Sequence, residues 1–106
     1  FISPENKAAI VDRIFSGLNP GGALILSEKV ICESAQEQER VESLYFDFKR
    51  HNGYNDLEIS QKRDALENVL KLDTRPRHVD RLRSAGFSVV DEWFHCLNFA
   101  SFLAVK

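Results

Sequence analysis

Methionine is absent from the 106-residue chain, even at position 1, and the chain opens on the apolar pair Phe1-Ile2. A translated chain begins with methionine. We therefore expect this sequence to be an internal or C-terminal part of a longer protein.

Long apolar runs, cysteine-rich motifs and an excess of positive charge are also missing. No run approaches the roughly 20 apolar residues of a membrane-spanning helix, and no signal-peptide pattern opens the chain. Cys32 and Cys96 lack metal-site or CxxC spacing, and free thiols are typical of a reducing compartment. The net charge of -2 excludes a global basic field for nucleic acid. We expect a cytoplasmic protein without membrane association.

The common catalytic motifs are absent as well. The sequence has no GxGxxG, GxxxxGK[ST], HExxH or GxSxG pattern. His51, His78 and His95 are scattered and share no metal-ligand spacing. The residues by themselves therefore assign neither a metal site nor a catalytic group.

An uninterrupted apolar run at residues 23–26 (ALIL) organises the rest of the chain. Such a run predicts a strand that is buried on both faces. A helix starting at Ser3-Pro4 precedes it, and two apolar segments, 87–96 and 99–106, close the chain. These segments are so close in sequence that they predict an antiparallel hairpin. The pattern indicates a single α/β domain.

Two further helices are predicted within residues 34–72. Ser34 and Glu37 match a capping box, and the first helix carries an apolar face formed by Val41, Leu44, Tyr45 and Phe48. Its last turn holds Lys49 and Arg50, which suit the helix dipole and are either solvated or in contact with phosphate. The second helix runs from about residue 55 to residue 70 or 72, with an apolar stripe formed by Ile59, Leu66, Val69 and Leu70.

Arg63 interrupts this stripe, four residues after Ile59 and three before Leu66. The commoner arrangement is a packed stem with the charged head in water. The functional alternative is a guanidinium directed into a pocket, where its planar fork suits a carboxylate or a phosphate.

The motifs resemble a known family. The segments GLNPGG, SEK and AGF, with the terminal hairpin, resemble the C-terminal half of class I S-adenosylmethionine-dependent methyltransferases. The segments FKR, NGY, SQKR and LEN at residues 48–68 are more specific, as are Trp93-Phe94 and Asn98-Phe99. They resemble the CmoA-type tRNA (uridine-5-oxyacetic acid) carboxymethyltransferases. The resemblance implies strands five, six and seven of a Rossmann-like sheet ordered 5-7-6, about four helices, and insertion helices at about 34–72. Residues 1–106 would form one partial domain.

The function implied by this resemblance is the transfer of a carboxymethyl group from carboxy-S-adenosyl-L-methionine to 5-hydroxyuridine at the wobble position of tRNA. The arginine of the SQKR motif, here Arg63, would bind the carboxylate of the cofactor. Lys49, Arg50 and Lys62 match family positions that could contact the anticodon region of tRNA. Family members resemble homodimers, and no metal is implied.

The family's N-terminal half, with its glycine-rich loop and ribose-binding acid, has no counterpart in this chain. We therefore expect the chain alone neither to bind the cofactor nor to be active. Strand five would expose an apolar edge, so we expect self-association through that edge or through the insertion helices. Two alternatives stay open. One is another class I methyltransferase with a small-molecule substrate, whose acid Arg63 would bind; the other is a non-catalytic dimerisation module.

Overall fold

A computed structural model describes residues 2–66 and 71–106 of the chain. Its elements follow one another as α1 (Pro4–Gly17), β1 (Ala23–Lys29), α2 (Ala35–His51), α3 (Asp56–Leu66), α4 (Arg75–Ala85), β2 (Val89–Cys96) and β3 (Phe99–Val105). No helix in these two ranges is long and apolar enough to cross a membrane.

The three strands form one sheet in the order β1-β3-β2. β3 runs antiparallel to both neighbours, with Leu26 opposite Phe102 on one side and Glu92 opposite Phe102 on the other. β2 and β3 form the predicted hairpin, and the last strand of the chain lies between the other two. The predicted α/β class and the 5-7-6 order are therefore confirmed.

The hydrophobic core lies on one face of this sheet. Alternate residues of β3, namely Ala100, Phe102 and Ala104, are buried there beneath Val11 of α1 and Leu82 of α4. Because successive side chains of a strand point to opposite faces of the sheet, these three alternate residues share one face. Both helices pack on that face.

The prediction that β1 is buried on both faces is wrong for this structure. Leu24 and Leu26 pack against the core, but Ile25 points to the opposite face and is 63% exposed. That opposite face also exposes Val89, Phe94 and Phe99. The apolar run requires a cover on both sides, and the described helices α1 and α4 supply only one.

A buried carboxylate joins α1, α4 and the segment after β1. Asp73 is 3% exposed; it accepts a hydrogen bond from Arg81 and lies 3.6 Å from the ammonium of Lys7. Its backbone forms a parallel bridge with Val30. Burial by itself would raise the pKa of the Asp73 carboxyl. The combined effect of Arg81, Lys7 and His78 is larger, so the pKa is lowered. The network therefore fixes α4 against the sheet.

Helices α2 and α3 form an arm beside the carboxyl end of β1. Ser34 caps α2 by accepting from the amide of Glu37, and Asn55 and Glu58 cap α3 reciprocally. The predicted apolar face of α2 is covered only in part: Val41 and Tyr45 are half-buried, Leu44 and Phe48 are more than half exposed, and no residue of the helix is fully buried. In α3, Ile59 is buried. The predicted continuation of this helix with Val69 and Leu70, and Glu67-Asn68 of the LEN motif, lie outside the described residues.

Candidate anion-binding site

A cavity of about 230 Å³ lies between the carboxyl end of β1 and the α2–α3 arm. β1 contributes its last residue, α2 and α3 contribute one face each, and the β2–β3 turn contributes Asn98. The lining residues are Lys29, Gln38, Glu42, Tyr45, Phe46, Lys49, Lys62, Arg63, Leu66, Leu72 and Asn98. In open α/β sheets, ligands bind beyond the carboxyl ends of strands, and this cavity has that position relative to β1.

The charges around the cavity are strongly unequal. Four cationic side chains line it, and Glu42 is the single carboxylate in its described lining. One oxygen of Glu42 already accepts a hydrogen bond from the amide of Gln38. Within residues 2–66 and 71–106, the four cations have no ion pair with a carboxylate. Unpaired positive charge that converges on a cavity favours an anionic ligand.

Aromatic rings support three of these cations. The ammonium groups of Lys29 and Lys49 lie 5.3 and 4.5 Å from the centre of the Tyr45 ring, and the guanidinium of Arg63 lies 5.6 Å from that of Phe46. Such contacts hold a cation without neutralising it. Tyr45 also packs edge-on against Phe99, at 5.7 Å between ring centres, so its position is tied to the sheet.

Lys29 shows the electrostatic consequence of this arrangement. Burial and the nearby charges of Lys49 and Lys62 lower the pKa of its ammonium, and Glu42 opposes them only in part. Burial is the larger cause, and the charges of Lys49 and Lys62 add to it by repelling the Lys29 ammonium. An anion in the cavity would replace this repulsion by attraction.

Of the residues predicted from the sequence, Lys49, Lys62 and Arg63 come together in this cavity. Arg50 does not. Its guanidinium is exposed and forms ion pairs with Asp47 and Asp56 at the α2–α3 turn. The cofactor-binding role of Arg63 and the tRNA contacts of the other three stay predictions. No cluster of three or more potential metal ligands occurs in the described part of the chain.

Lys29 and Asn98 are among the cavity residues that were not singled out as site residues from the sequence. Lys29 ends the SEK segment, and its position at the carboxyl end of a predicted strand was the available signal. Asn98 lies in the β2–β3 turn; it is 2% exposed, and its side-chain oxygen has no hydrogen-bond partner among the described residues. Asn98 reaches the cavity because the folded chain brings the β2–β3 turn next to α2 and α3.

The sheet order, the antiparallel last strand and the cavity at the end of β1 define the C-terminal part of a methyltransferase-like α/β protein. Comparison with known proteins agrees. The chain is 57% identical over all 106 residues to a carboxy-S-adenosyl-L-methionine synthase of Aeromonas hydrophila, of which it covers 43%. It is 57% identical over 105 residues to one of Pseudomonas putida and 50% identical over 106 residues to one of Shewanella loihica, covering 42% and 44% of them.

The chain is homologous over its whole length to part of these carboxy-S-adenosyl-L-methionine synthases. It spans less than half the length of the curated relatives that it matches. No protein-family model matches it. The family resemblance seen in the sequence is therefore confirmed, and the relatives' name contains the compound that the resemblance implied. That name describes the formation of this compound, whereas the resemblance led us to expect its use in carboxymethyl transfer.

Proposed function

We propose that this chain supplies the carboxylate-binding part of an enzyme that forms carboxy-S-adenosyl-L-methionine. The convergence of four cations on one cavity, with no carboxylate paired to them among the described residues, carries this proposal. The product differs from S-adenosylmethionine in that one hydrogen of the sulfonium methyl group is replaced by a carboxylate. The cavity therefore offers charge to the one group by which the two compounds differ.

Arg63 is the residue that we assign to this carboxylate. Its guanidinium can donate two parallel hydrogen bonds to a carboxylate, and the Phe46 ring positions it at the cavity. S-adenosylmethionine lacks the anion, so this contact would favour the carboxylated compound specifically.

The test of this assignment uses a chimera in which the chain replaces the matching 43% of the Aeromonas hydrophila relative. Because a hydrogen bond to a charged group contributes about 1.5–3 kcal/mol, Arg63→Ala should weaken carboxy-S-adenosyl-L-methionine binding by roughly tenfold or more. Binding of S-adenosylmethionine should change by less than about threefold. Isothermal titration calorimetry measures both affinities.

Arg83→Ala is the matched control, because Arg83 is exposed on α4 and lies outside the cavity lining. It should leave both affinities unchanged. Equal losses for the two ligands in Arg63→Ala would contradict the carboxylate role. They would favour the alternative in which Arg63 binds the acid of another substrate or supports the arm only.

The transfer of the carboxymethyl group to tRNA is the second candidate function, supported by the specific motifs at residues 48–68. The geometry favours it less, because Lys49 and Lys62 face the cavity and Arg50 is paired with Asp47 and Asp56. The two functions differ in the fate of carboxy-S-adenosyl-L-methionine. Mass spectrometry of the chimera's reactions would show its accumulation in synthesis and its tRNA-dependent loss in transfer.

We also propose that the protein acts as a cytoplasmic homodimer. Free Cys32 and Cys96 fit a reducing compartment. The uncovered apolar side chains of the arm, among them Leu44, Phe48 and Leu57, offer a surface for a second copy. A dimerisation role without catalysis would use the same surface, so the ligand-binding test above separates it from the proposed enzyme.

A further inference from the structure

Lys29 differs from the other three cations of the cavity by the element that carries it. Lys49, Lys62 and Arg63 belong to the α2–α3 arm, whereas Lys29 is the last residue of β1 and pairs with Phe99 in the sheet. The cavity therefore lies at a junction between the sheet and the arm, and Lys29 is the one cation on the sheet side of its described lining.

The sheet side of this junction is better packed than the arm side. β1 is hydrogen-bonded along its whole length to β3, from Ala23 to Lys29. In contrast, α2 has no buried residue and Ile59 is the one buried residue of α3. Segments with little buried apolar surface open at low free-energy cost, so the arm depends on further contacts for its position.

The like charges of Lys29 and of the cations on the arm repel one another across this junction. The ammonium of Lys29 is half-buried and faces Lys49 and Glu42 of α2 and Lys62 of α3. The charge of Glu42 offsets only one of these cations. An anion between Lys29 and the arm would interact favourably with both sides of the junction at once.

We propose that Lys29 is a binding residue for the carboxylate of the cavity's ligand, acting together with Arg63, and that the bound carboxylate thereby fastens the α2–α3 arm to the sheet. The proposal rests on the proposed function, which assigns the carboxylate to Arg63. It adds a contact from β1 and a consequence for the position of the arm.

Nuclear magnetic resonance of the chimera tests this proposal with (methylthio)acetate as the probe, because this ion reproduces the sulfur, methylene and carboxylate of the proposed ligand. The side-chain signals of Lys29 and Arg63 should shift with the same dissociation constant. Amide hydrogen exchange in α2 and α3 should slow as the probe binds. The neutral amide (methylthio)acetamide should cause neither effect.

The matched variants are Lys29→Gln, Lys29→Arg and Lys71→Gln. Lys29→Gln should weaken probe binding by about tenfold and abolish the slowing of exchange in the arm. Lys29→Arg should retain most of the affinity because it keeps the charge. Lys71→Gln should bind the probe as tightly as the protein without substitutions, because Lys71 is exposed and outside the cavity lining.

The outcomes separate the two proposals. A shift at Arg63 without a shift at Lys29, or unchanged affinity in Lys29→Gln, would overturn the role of Lys29 and leave the proposed function intact. Binding without slower exchange in α2 and α3 would overturn the fastening of the arm. A probe that shifts neither side chain would contradict the carboxylate role of the cavity itself, and with it both proposals.

Discussion

At the scale of single residues, His78 links stability to pH. The side chain is 1% exposed and packs against the ring of Phe102, with 5.6 Å between ring centres. Burial, together with the charges of Arg81 and Lys7, lowers the pKa of the imidazole to about 4, although Asp73 opposes the shift. The histidine is therefore buried in its neutral form.

This shift predicts a loss of stability in mild acid. An unfolded histidine has a pKa of about 6.5, so the unfolded chain binds a proton as the pH falls from 6.5 towards 4 while the folded chain does not. The contribution is complete above pH 6.5 and declines below it, by up to about 3 kcal/mol. Urea unfolding between pH 4.5 and 7.5 should show the decline, and His78→Gln should flatten it.

His51→Gln is the control for this measurement, since His51 is exposed at the end of α2. It should keep the pH dependence of the unchanged chain. A stability of His78→Gln that declines as steeply as that of the unchanged chain would show that other groups cause the acid sensitivity.

Gly86 is the residue whose backbone and surroundings both exclude a side chain. It ends α4 in the left-handed region, with φ at 116°, and a Cβ there would lie 2.8 Å from Cζ of Phe15. Left-handed backbone costs about 1–2 kcal/mol in a residue with a side chain, and crowding the core adds about 1–3 kcal/mol. Gly86→Ala should therefore lower the free energy of unfolding by at least about 2 kcal/mol.

A double variant separates the two causes. In the background of Phe15→Leu, the smaller side chain leaves room for the new methyl group, so Gly86→Ala should cost only the backbone part. Equal costs in both backgrounds, measured by urea unfolding, would show that the ring of Phe15 moves away without loss.

At the scale of elements, the α2–α3 arm is the part whose packing remains incomplete. Leu44 and Phe48 are one helical turn apart and are 55% and 56% exposed, and Leu57 is 66% exposed. An apolar surface of this kind commonly marks an interface. The helices themselves follow from local signals, the caps at Ser34 and Asn55, whereas their outer surface lacks a partner within the described chain.

Replacement of this surface tests the proposed dimer. The double variant Leu44→Glu/Phe48→Glu should raise the dimer dissociation constant by at least about tenfold, because two like-charged carboxylates would be buried in the interface. Sedimentation velocity measures the change, and circular dichroism checks that the helices persist. Glu39→Gln on the same helix is the control.

Two results would contradict the arm as the dimer surface. The unchanged chain could sediment as a monomer at high concentration, which would exclude self-association altogether. Alternatively, the double variant could remain dimeric, and the unpaired edge of β1 would then be the surface that associates.

At the scale of the whole molecule, the helices that the structure describes leave one face of the sheet largely exposed. Ile25 and Phe94 on the other face are 63% and 53% exposed, although the sequence of β1 is that of a strand buried on both sides. The chain covers 43% of the Aeromonas hydrophila relative, so the comparison is with a longer protein.

This incompleteness predicts that the 106-residue chain binds carboxy-S-adenosyl-L-methionine far more weakly than the chimera does. The proposed carboxylate contacts of one cavity remain, but this sequence has no counterpart of the glycine-rich loop and the ribose-binding acid that the resemblance implies. We expect a difference of at least about 1,000-fold in affinity, the loss of roughly 4 kcal/mol of contacts. Calorimetric titration of both proteins checks it, and tight binding by the chain alone would contradict it.

Local sequence determined most of the elements. Alternating or continuous apolar residues marked the three strands, the capping box marked the start of α2, and the short connection between residues 96 and 99 required a hairpin. Arg63 could be singled out because a charged residue within an apolar helical stripe is locally conspicuous. These features depend on neighbours within a few positions, so they could be predicted before any contact between distant segments was known.

The tertiary structure alone decided which charges meet. Lys29 joins Lys49, Lys62 and Arg63 because the arm folds back over the carboxyl end of β1, and Arg50 turns away because Asp47 and Asp56 pair with it. It also decided that β1 is covered on one face, since burial depends on which elements are present to pack there. Electrostatic and packing energies depend on distances between segments far apart in sequence, and those distances are a property of the folded chain.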